Sequence, residues 1–413
     1  MDINPKQFLL NCFNVAVSAA HPENILSPCL PDVRTSPVTV IGAGKAAASM
    51  AAAFEKHWLG SIKGLVVTPY GHSENCKYIK VIEASHPTPD ESSIDAARQT
   101  LSLCNKLTNK DKVFVLLSGG GSSLLCLPAD GVAFAEKQKI NKALLKSGAI
   151  IDEINCVRKH LSAIKGGRLA AHIYPAEMHT ITISDVVGDD PAVIASGPTV
   201  IDPTTSSDAL NILKKYSIDC PSSITEWLSN PLSETLKKQA ANTKYSIIGT
   251  AKQSLQKVAN FARSQNIDVI ELGELDGDAR KLGQKIANDY KYLNVHKPTL
   301  VISGGETTVL VNGHGRGGRN CEFLLSLALS LKGKSNIYAL AADTDGIDGS
   351  EDNAGAFISP DTIDRAIKAG LNLNDMLDDD DSYNAFQKLD DLLITDPTKT
   401  NVNDFRAMLI LPD

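Results

Sequence analysis

Val38-Thr39-Val40-Ile41-Gly42-Ala43-Gly44-Lys45, continued by the run AAASMAAAF to Phe54, is the stretch that decides the fold. An apolar, β-branched run makes a short buried strand, two glycines make a tight turn, and the alanine-rich run that follows makes a helix. A strand that passes through a glycine turn into a helix is the unit of parallel α/β architecture. Outward from it the same rhythm recurs. Gly64–Thr68, Val113–Leu117, His179–Ser184, Ser246–Gly249, Leu300–Ser303 and Ile337–Ala341 read as strands, and most run into loops rich in Gly, Ser, Asp or Pro. Open parallel sheets take ligands beyond the carboxyl ends of their strands, so these loops converge on a candidate site. A polar, helical stretch between Pro203 and Thr243 separates two sheets and puts a domain boundary near Ala240. Ile150–His172 reads as a long helix or a pair, with Gly166–Gly167 as a break or a close backbone approach.

The 413 residues carry a net charge of −7, which leaves no basic field for a nucleic-acid backbone or an anionic lipid surface. An anionic ligand must therefore be held locally. No apolar run is long enough to span a bilayer, and the N-terminal segment has the wrong pattern for a secretory signal, so a cytoplasmic address is expected. The eight cysteines include no C-x-x-C pair and read as reduced structural thiols. Asp378–Asp381 reads as a solvated loop.

Five loops carry candidate chemistry. Gly42, Gly44 and Ala47 match G-x-G-x-x-A, a turn that sets an anion against a helix N-terminus. The acidic residue that a dinucleotide ribose needs after the next strand is missing; Pro69-Tyr70-Gly71-His72 stands there. Lys45 instead complements a phosphoryl group by charge and hydrogen bonds, without being a Walker A lysine. The loop Ser118-Gly119-Gly120-Gly121-Ser122-Ser123 lets backbone N–H groups close around an oxyanion and adds hydroxyl donors. It lacks G-x-S-x-G, which argues against a serine hydrolase. Asp185 and Asp189 follow a strand and suit proton abstraction or metal binding, while Asp190 reads better as a helix cap. The adjacent Ser196-Gly197 turn presents N–H groups. Ser303-Gly304-Gly305-Glu306 precedes a glycine-rich tongue that delivers Arg316 and Arg319, planar forks suited to phosphate oxygens. Asp343 and Asp345 end a strand and suit Mg²⁺, which takes one or two carboxylates together with phosphates and water. His160 is as well placed to be a helix-face hydrogen-bond donor as a base.

In order along the chain, IGAGKAA, LLSGGGSSL, NCVRKHLSAIKGGRLA, ISDVVGDDPAVIASGPT, ISGGETTV, GRGGRNCEFLL, AADTDGIDG and TNVNDFR together resemble the class II glycerate 2-kinases. The C-terminal part of that family is called the MOFRL domain, and the resemblance runs from about Phe8 to about Leu409. It implies a two-domain α/β enzyme: residues 1–240 as a Rossmann-like N-terminal domain with a parallel sheet, residues 241–413 as a smaller C-terminal α/β domain, and the active site in the interdomain cleft. It further implies ATP- and Mg²⁺-dependent phosphorylation of the C2 hydroxyl of D-glycerate, giving 2-phospho-D-glycerate and ADP. By motif match, Lys45 and Arg319 are the phosphate-facing cations.

The division of labour that follows gives Asp343 and Asp345 the metal and the Ser118–Ser122 loop a nucleotide phosphate or the glycerate carboxylate. Asp189 orients or deprotonates the substrate hydroxyl, with Asp185 the second choice, and Glu306 takes a hydroxyl or the ribose. Members of the family have long been labelled hydroxypyruvate reductases, so an NAD(P)H-dependent hydroxypyruvate reductase is the alternative, and a non-catalytic sugar-phosphate or nucleotide sensor is a third. No nucleic-acid or membrane partner is expected, and assembly into a homo-oligomer is left open.

Overall fold

The computed structural model describes residues 3–334 and 336–412. The chain forms two compact units, one Ile25–Ile248, the other joining the segment that ends at Asn24 to the one that begins at Gly249.

The first sheet contains β1 (Val38–Ala43), β2 (Ile62–Pro69), β3 (Ile79–Ala84), β4 (Lys112–Leu117), β5 (Glu177–Ile183) and β6 (Thr243–Gly249). Their order is β3-β2-β1-β4-β5-β6. Every residue of β1 is buried, as befits a strand covered on both faces. It pairs in parallel with β2 and β4, and β3 and β5 continue the parallel ladder outward. The strand order reverses between β1 and β4, the switch point at which such sheets open a crevice for ligands. Because β6 completes this sheet, the chain leaves it at Gly249, one strand later than a boundary near Ala240 would have it. The stretch read as one helix or two is a pair, Ile151–His160 and Arg168–Ile173, broken at Gly166 and Gly167, whose φ angles are +61° and +76°.

The second unit holds β7 (Asp268–Glu274), β8 (Gly277–Asp278), β9 (Thr299–Gly304), β10 (Thr307–Thr308), β11 (Ile337–Asp343), β12 (Gly355–Ile358), β13 (Leu392–Leu393) and β14 (Asp404–Ile410). Six of them form a sheet in the order β13-β12-β11-β14-β9-β7, and β8 pairs with β10. The parallel rhythm holds in the first sheet but not here. The last strand, β14, inserts between β9 and β11 and runs antiparallel to both. Only β7 and β9 pair in parallel within this six-stranded sheet.

Helix Pro5–Ala20 belongs to this second unit rather than to an N-terminal domain. Its buried face, Phe8, Cys12, Phe13 and Ala16, repeats at helical spacing and packs with Leu255, Val258 and Ala259 of helix Ala251–Ser264 and with Phe405 and Leu409 of β14. Burying a Phe of this kind contributes about 1.5–3 kcal/mol, enough to fix the helix on that surface. Among the described residues no helix is long and apolar enough to cross a membrane, and the eight cysteines are unpaired thiols.

Candidate active site

The loops after β1 and β4 clasp one another. The Lys45 N–H donates to Gly119 O at 2.8 Å and the Ala46 N–H to Ser118 Oγ at 2.9 Å. The Ala47 N–H turns back to Gly44 O. These amides are therefore engaged inside the turn, and the first glycine loop presents the Lys45 side chain rather than its own N–H groups. Gly42 and Gly44 serve this close approach. A Cβ on Gly42 would lie 2.3 Å from Leu116 O, and one on Gly44, where φ is +140°, would lie 2.1 Å from Ser118 Oγ. Ser118 is fully buried and holds the two loops together. Gly120, at φ +78°, has the His86 ring 2.9 Å and Lys45 Cγ 3.5 Å from where its Cβ would stand, so the lysine stem passes over this glycine.

A third loop, after β5, docks onto the same place. Ala195, Ser196 and Gly197 are consecutively left-handed, with φ of 51°, 62° and 57°, a conformation held only where the surroundings over-determine it. Gly166 N–H donates to Ser196 O at 3.1 Å and Gly167 N–H to Gly197 O at 2.7 Å, which is the close backbone approach that the paired glycines signal. The Ser122 and Ser196 hydroxyls meet at 2.9 Å. Into this junction comes Lys165, donating to Ser122 Oγ at 2.7 Å and to Ser122 O. Burial, reinforced by the nearby Lys137 and Arg158 cations, brings its ammonium down to about 7. Sequence reasoning missed Lys165, whose burial its neighbours in sequence do not show. Asp185 and Asp189 lie half-buried after β5, Asp189 with φ of 56°. Asp190 accepts the Ala192 N–H at 2.9 Å in a local turn rather than capping the short helix Ile194–Ser196, whose N-cap position is Val193. His160 is buried, donates from Nδ1 to Cys156 O at 2.8 Å, and has its pKa lowered by burial.

In the second unit, Arg319 opens helix Arg319–Leu331 inside a ring of carboxylates. Its Nε donates to Asp404 Oδ1 at 2.7 Å, Nη1 to Glu306 Oε1 at 3.0 Å and Nη2 to Asp343 Oδ2 at 2.6 Å. Burial opposes its charge, but Asp404, Asp343 and Glu306 outweigh that and hold the guanidinium protonated beyond its ordinary range. Asp404, absent from the candidate residues, is the hub: it also accepts from Arg406, from Asn320 Nδ2 at 2.8 Å and from Thr307 N–H at 3.3 Å.

Asp343 Oδ1 accepts the Asp345 N–H at 3.0 Å, and Asp345 Oδ1 accepts the Ile347 N–H at 2.8 Å. Among the described residues no group of three or more His, Cys, Asp or Glu is arranged to hold a metal. The Asp343–Asp345 pair does supply the hard oxygen donors that suit Mg²⁺, an ion that draws the rest of its shell from phosphate and water.

Arg316 is held apart from this ring. Its guanidinium stacks over Tyr383 at 4.6 Å and pairs with Glu351. The acidic run expected as a solvated loop clamps the tongue that carries it. Asp380 accepts the N–H groups of Asn312 and Gly313 at 2.7 Å each, Asp379 that of His314 at 2.9 Å, and Asp381 that of Arg316 at 3.0 Å. Burial alone would raise the Asp380 pKa, yet these N–H groups and the Arg280 guanidinium hold it below the ordinary carboxylate range. The reason for the misreading is that backbone donors, which a charge pattern does not show, supply the compensation.

A sheet with its reactive loops at the switch point, one of them bearing a lysine, and a second unit with an arginine set among carboxylates define an α/β enzyme built to handle anionic groups. Comparison with known proteins narrows the class. Residues 8–229 match a domain of unknown function (DUF4147), and residues 299–404 match the MOFRL family. The D-glycerate 2-kinase of Thermotoga maritima is 41% identical, with 98% of each chain covered. A crystal structure of a glycerate kinase from the same organism superimposes with a TM-score of 0.87 at 40% identity, covering 98% of this chain and 99% of that one. A protein of Agrobacterium vitis provisionally named a hydroxypyruvate reductase is 46% identical, over 99% of this chain and 95% of its own. The chain belongs to the class II glycerate 2-kinase family, the MOFRL-domain glycerate kinases.

Proposed function

We propose that the protein transfers the γ-phosphoryl group of ATP to the C2 hydroxyl of D-glycerate, forming 2-phospho-D-glycerate and ADP. The observation that carries the reading is the Lys45 stem laid across Gly120 at the switch point, beside the Ser122–Ser196 hydroxyl pair, in a chain similar along its whole length to a D-glycerate 2-kinase. Phosphoryl transfer asks a protein for alignment and charge neutralisation more than for covalent help. Lys45 supplies a cation to the transferring group. Arg319 has five N–H donors, and the three bonds to Asp404, Glu306 and Asp343 leave the others for phosphate oxygens.

Mg²⁺, held by Asp343 and Asp345, would neutralise phosphate charge. Asp189 orients or deprotonates the C2 hydroxyl, with Asp185 second in line. Ser118 fixes the loops and leaves substrate contact to Ser122 and Ser196. Glu306, with an exposed carboxylate on the Arg319 rim, suits a substrate or ribose hydroxyl. Gly119–Gly121 and Gly197 let the backbone come close; Arg316, tied to Glu351 and Tyr383, acts by holding the tongue.

The reductase alternative has the strand order of dinucleotide-binding sheets in its favour. Against it, the N–H groups of the first loop are taken by Gly119 O, Ser118 Oγ and Gly44 O, and no ribose-binding acid ends β2. The test is a coupled assay. ADP release that depends on D-glycerate supports the kinase, while NADH oxidation by hydroxypyruvate without it overturns that reading.

A further inference from the structure

The proposed roles leave unexplained a cavity of about 270 Å³ within the Ile25–Ile248 unit. Lys137, Arg158 and Lys165 line it, together with the hydroxyl residues Ser122 and Ser123. Lys137 is only 8% exposed and Lys165 3%. Their partners are neutral: Lys165 donates to Ser122, Arg158 Nε donates to Asn141 Oδ1 at 2.5 Å, and Lys137 reaches Leu127 O at 3.4 Å. Among the described residues no Asp or Glu lines the cavity. The lining also includes apolar side chains, among them Phe134, Leu144 and Val157.

Converging cations buried without a counter-charge are costly, and an anion brought to them offsets that cost. Their titration carries the same mark. Burial pushes the ammonium of Lys137 down as it does that of Lys165, and in both cases Arg158 adds to the depression. Gly120 forms part of the wall and also lies under the Lys45 stem, so an anion in the cavity sits on the loop that positions Lys45.

We propose that this cavity is an oxyanion subsite in which Lys137, Arg158 and Lys165 receive a carboxylate or phosphate group of a reactant, with the apolar lining residues covering the rest. The identity of that reactant rests on the kinase reading: the carboxylate belongs to D-glycerate, the phosphate to ATP.

The test is competitive acetylation of the full-length protein by limiting acetic anhydride, read by mass spectrometry, with D-glycerate, ATP or inorganic phosphate present at ionic strength matched by NaCl. A hydrogen bond to a charged group is worth about 1.5–3 kcal/mol, or roughly a tenfold to hundredfold effect, so Lys165 and Lys137 are expected to be protected about tenfold. Exposed Lys106 keeps its rate. Protection by D-glycerate assigns the carboxylate and protection by ATP the phosphate. No protection by any of the three anions overturns the subsite. Lys165→Met and Lys137→Met are expected to raise the KM of the protecting reactant about tenfold while kcat changes less; unchanged KM for both reactants in folded variants also overturns it. The labelling needs no variant. Protection by inorganic phosphate alone, with no glycerate-dependent ADP release, supports the subsite and sinks the kinase reading, so the two failures are distinguishable.

Discussion

Arg319 Nε lies 2.7 Å from Asp404 Oδ1, and Asp404 is buried with its other oxygen on Arg406. One carboxylate thus fixes a rim arginine to the core of the second sheet. Asp404→Asn removes the charge that compensates Arg406, whose residue is 3% exposed. Breaking a buried pair from one side costs about 3–5 kcal/mol. Urea denaturation is expected to show a loss of that order together with a large fall in turnover. A variant as stable as the parent would remove Asp404 from its place as hub.

Lys45→Ala separates catalysis from folding. The side chain is half-buried over Gly120, and removing it takes away a cation that matters most as charge moves. We expect turnover to fall by roughly 10²-fold or more, with circular dichroism and thermal midpoint close to the parent's. Near-normal turnover contradicts the role given to Lys45.

Gly120→Ala tests the loop instead of the cation. A left-handed residue with a Cβ costs about 1–2 kcal/mol, and this Cβ would also lie 2.9 Å from the His86 ring and 3.5 Å from Lys45 Cγ. Activity should drop well beyond what the modest stability loss explains, because Lys45 is displaced. Full activity would mean that the stem does not need this path.

These assignments were unevenly legible in the sequence. The β1 and β4 loops stood out because glycines follow apolar runs, a pattern that survives without knowledge of tertiary partners. Helix Pro5–Ala20 showed its apolar face through Phe8, Cys12 and Phe13 but not which surface would receive it, and the answer lay in Leu255 and Phe405, far along the chain. Strand β14 does not stand out in the sequence because Asp404 and Arg406 sit at the head of its apolar run; buried, the two pair with each other, and Arg319 takes the other oxygen of Asp404. Lys165 was unreadable for a related reason, since its meaning comes from burial beside Lys137 and Arg158 rather than from its neighbours in sequence.

Lys165 makes a pH prediction with a definite sign. In the unliganded protein it titrates at about 7, against about 10.4 for an ordinary lysine. The unfolded chain holds this proton more firmly, so the cost of burying the charge is fully present below pH 7 and is relieved as pH rises from about 7 toward 10. Anion binding works in the opposite direction. Affinity is expected to be highest below about pH 7 and to weaken above it, with proton uptake on binding, in a setting that includes Cys126, Lys137, Arg158 and His86. Calorimetry in two buffers of different ionisation enthalpy measures that uptake; flat affinity without uptake would contradict it.

Identifying the product tests the central claim most directly. Purified protein incubated with ATP, Mg²⁺ and D-glycerate, followed by ³¹P NMR and an enolase-coupled assay without phosphoglycerate mutase, is expected to yield ADP and 2-phosphoglycerate in equal amounts. The 3-phosphoglycerate isomer would place the wrong hydroxyl at the donor, and no D-glycerate-dependent ADP release under any donor would contradict the account outright.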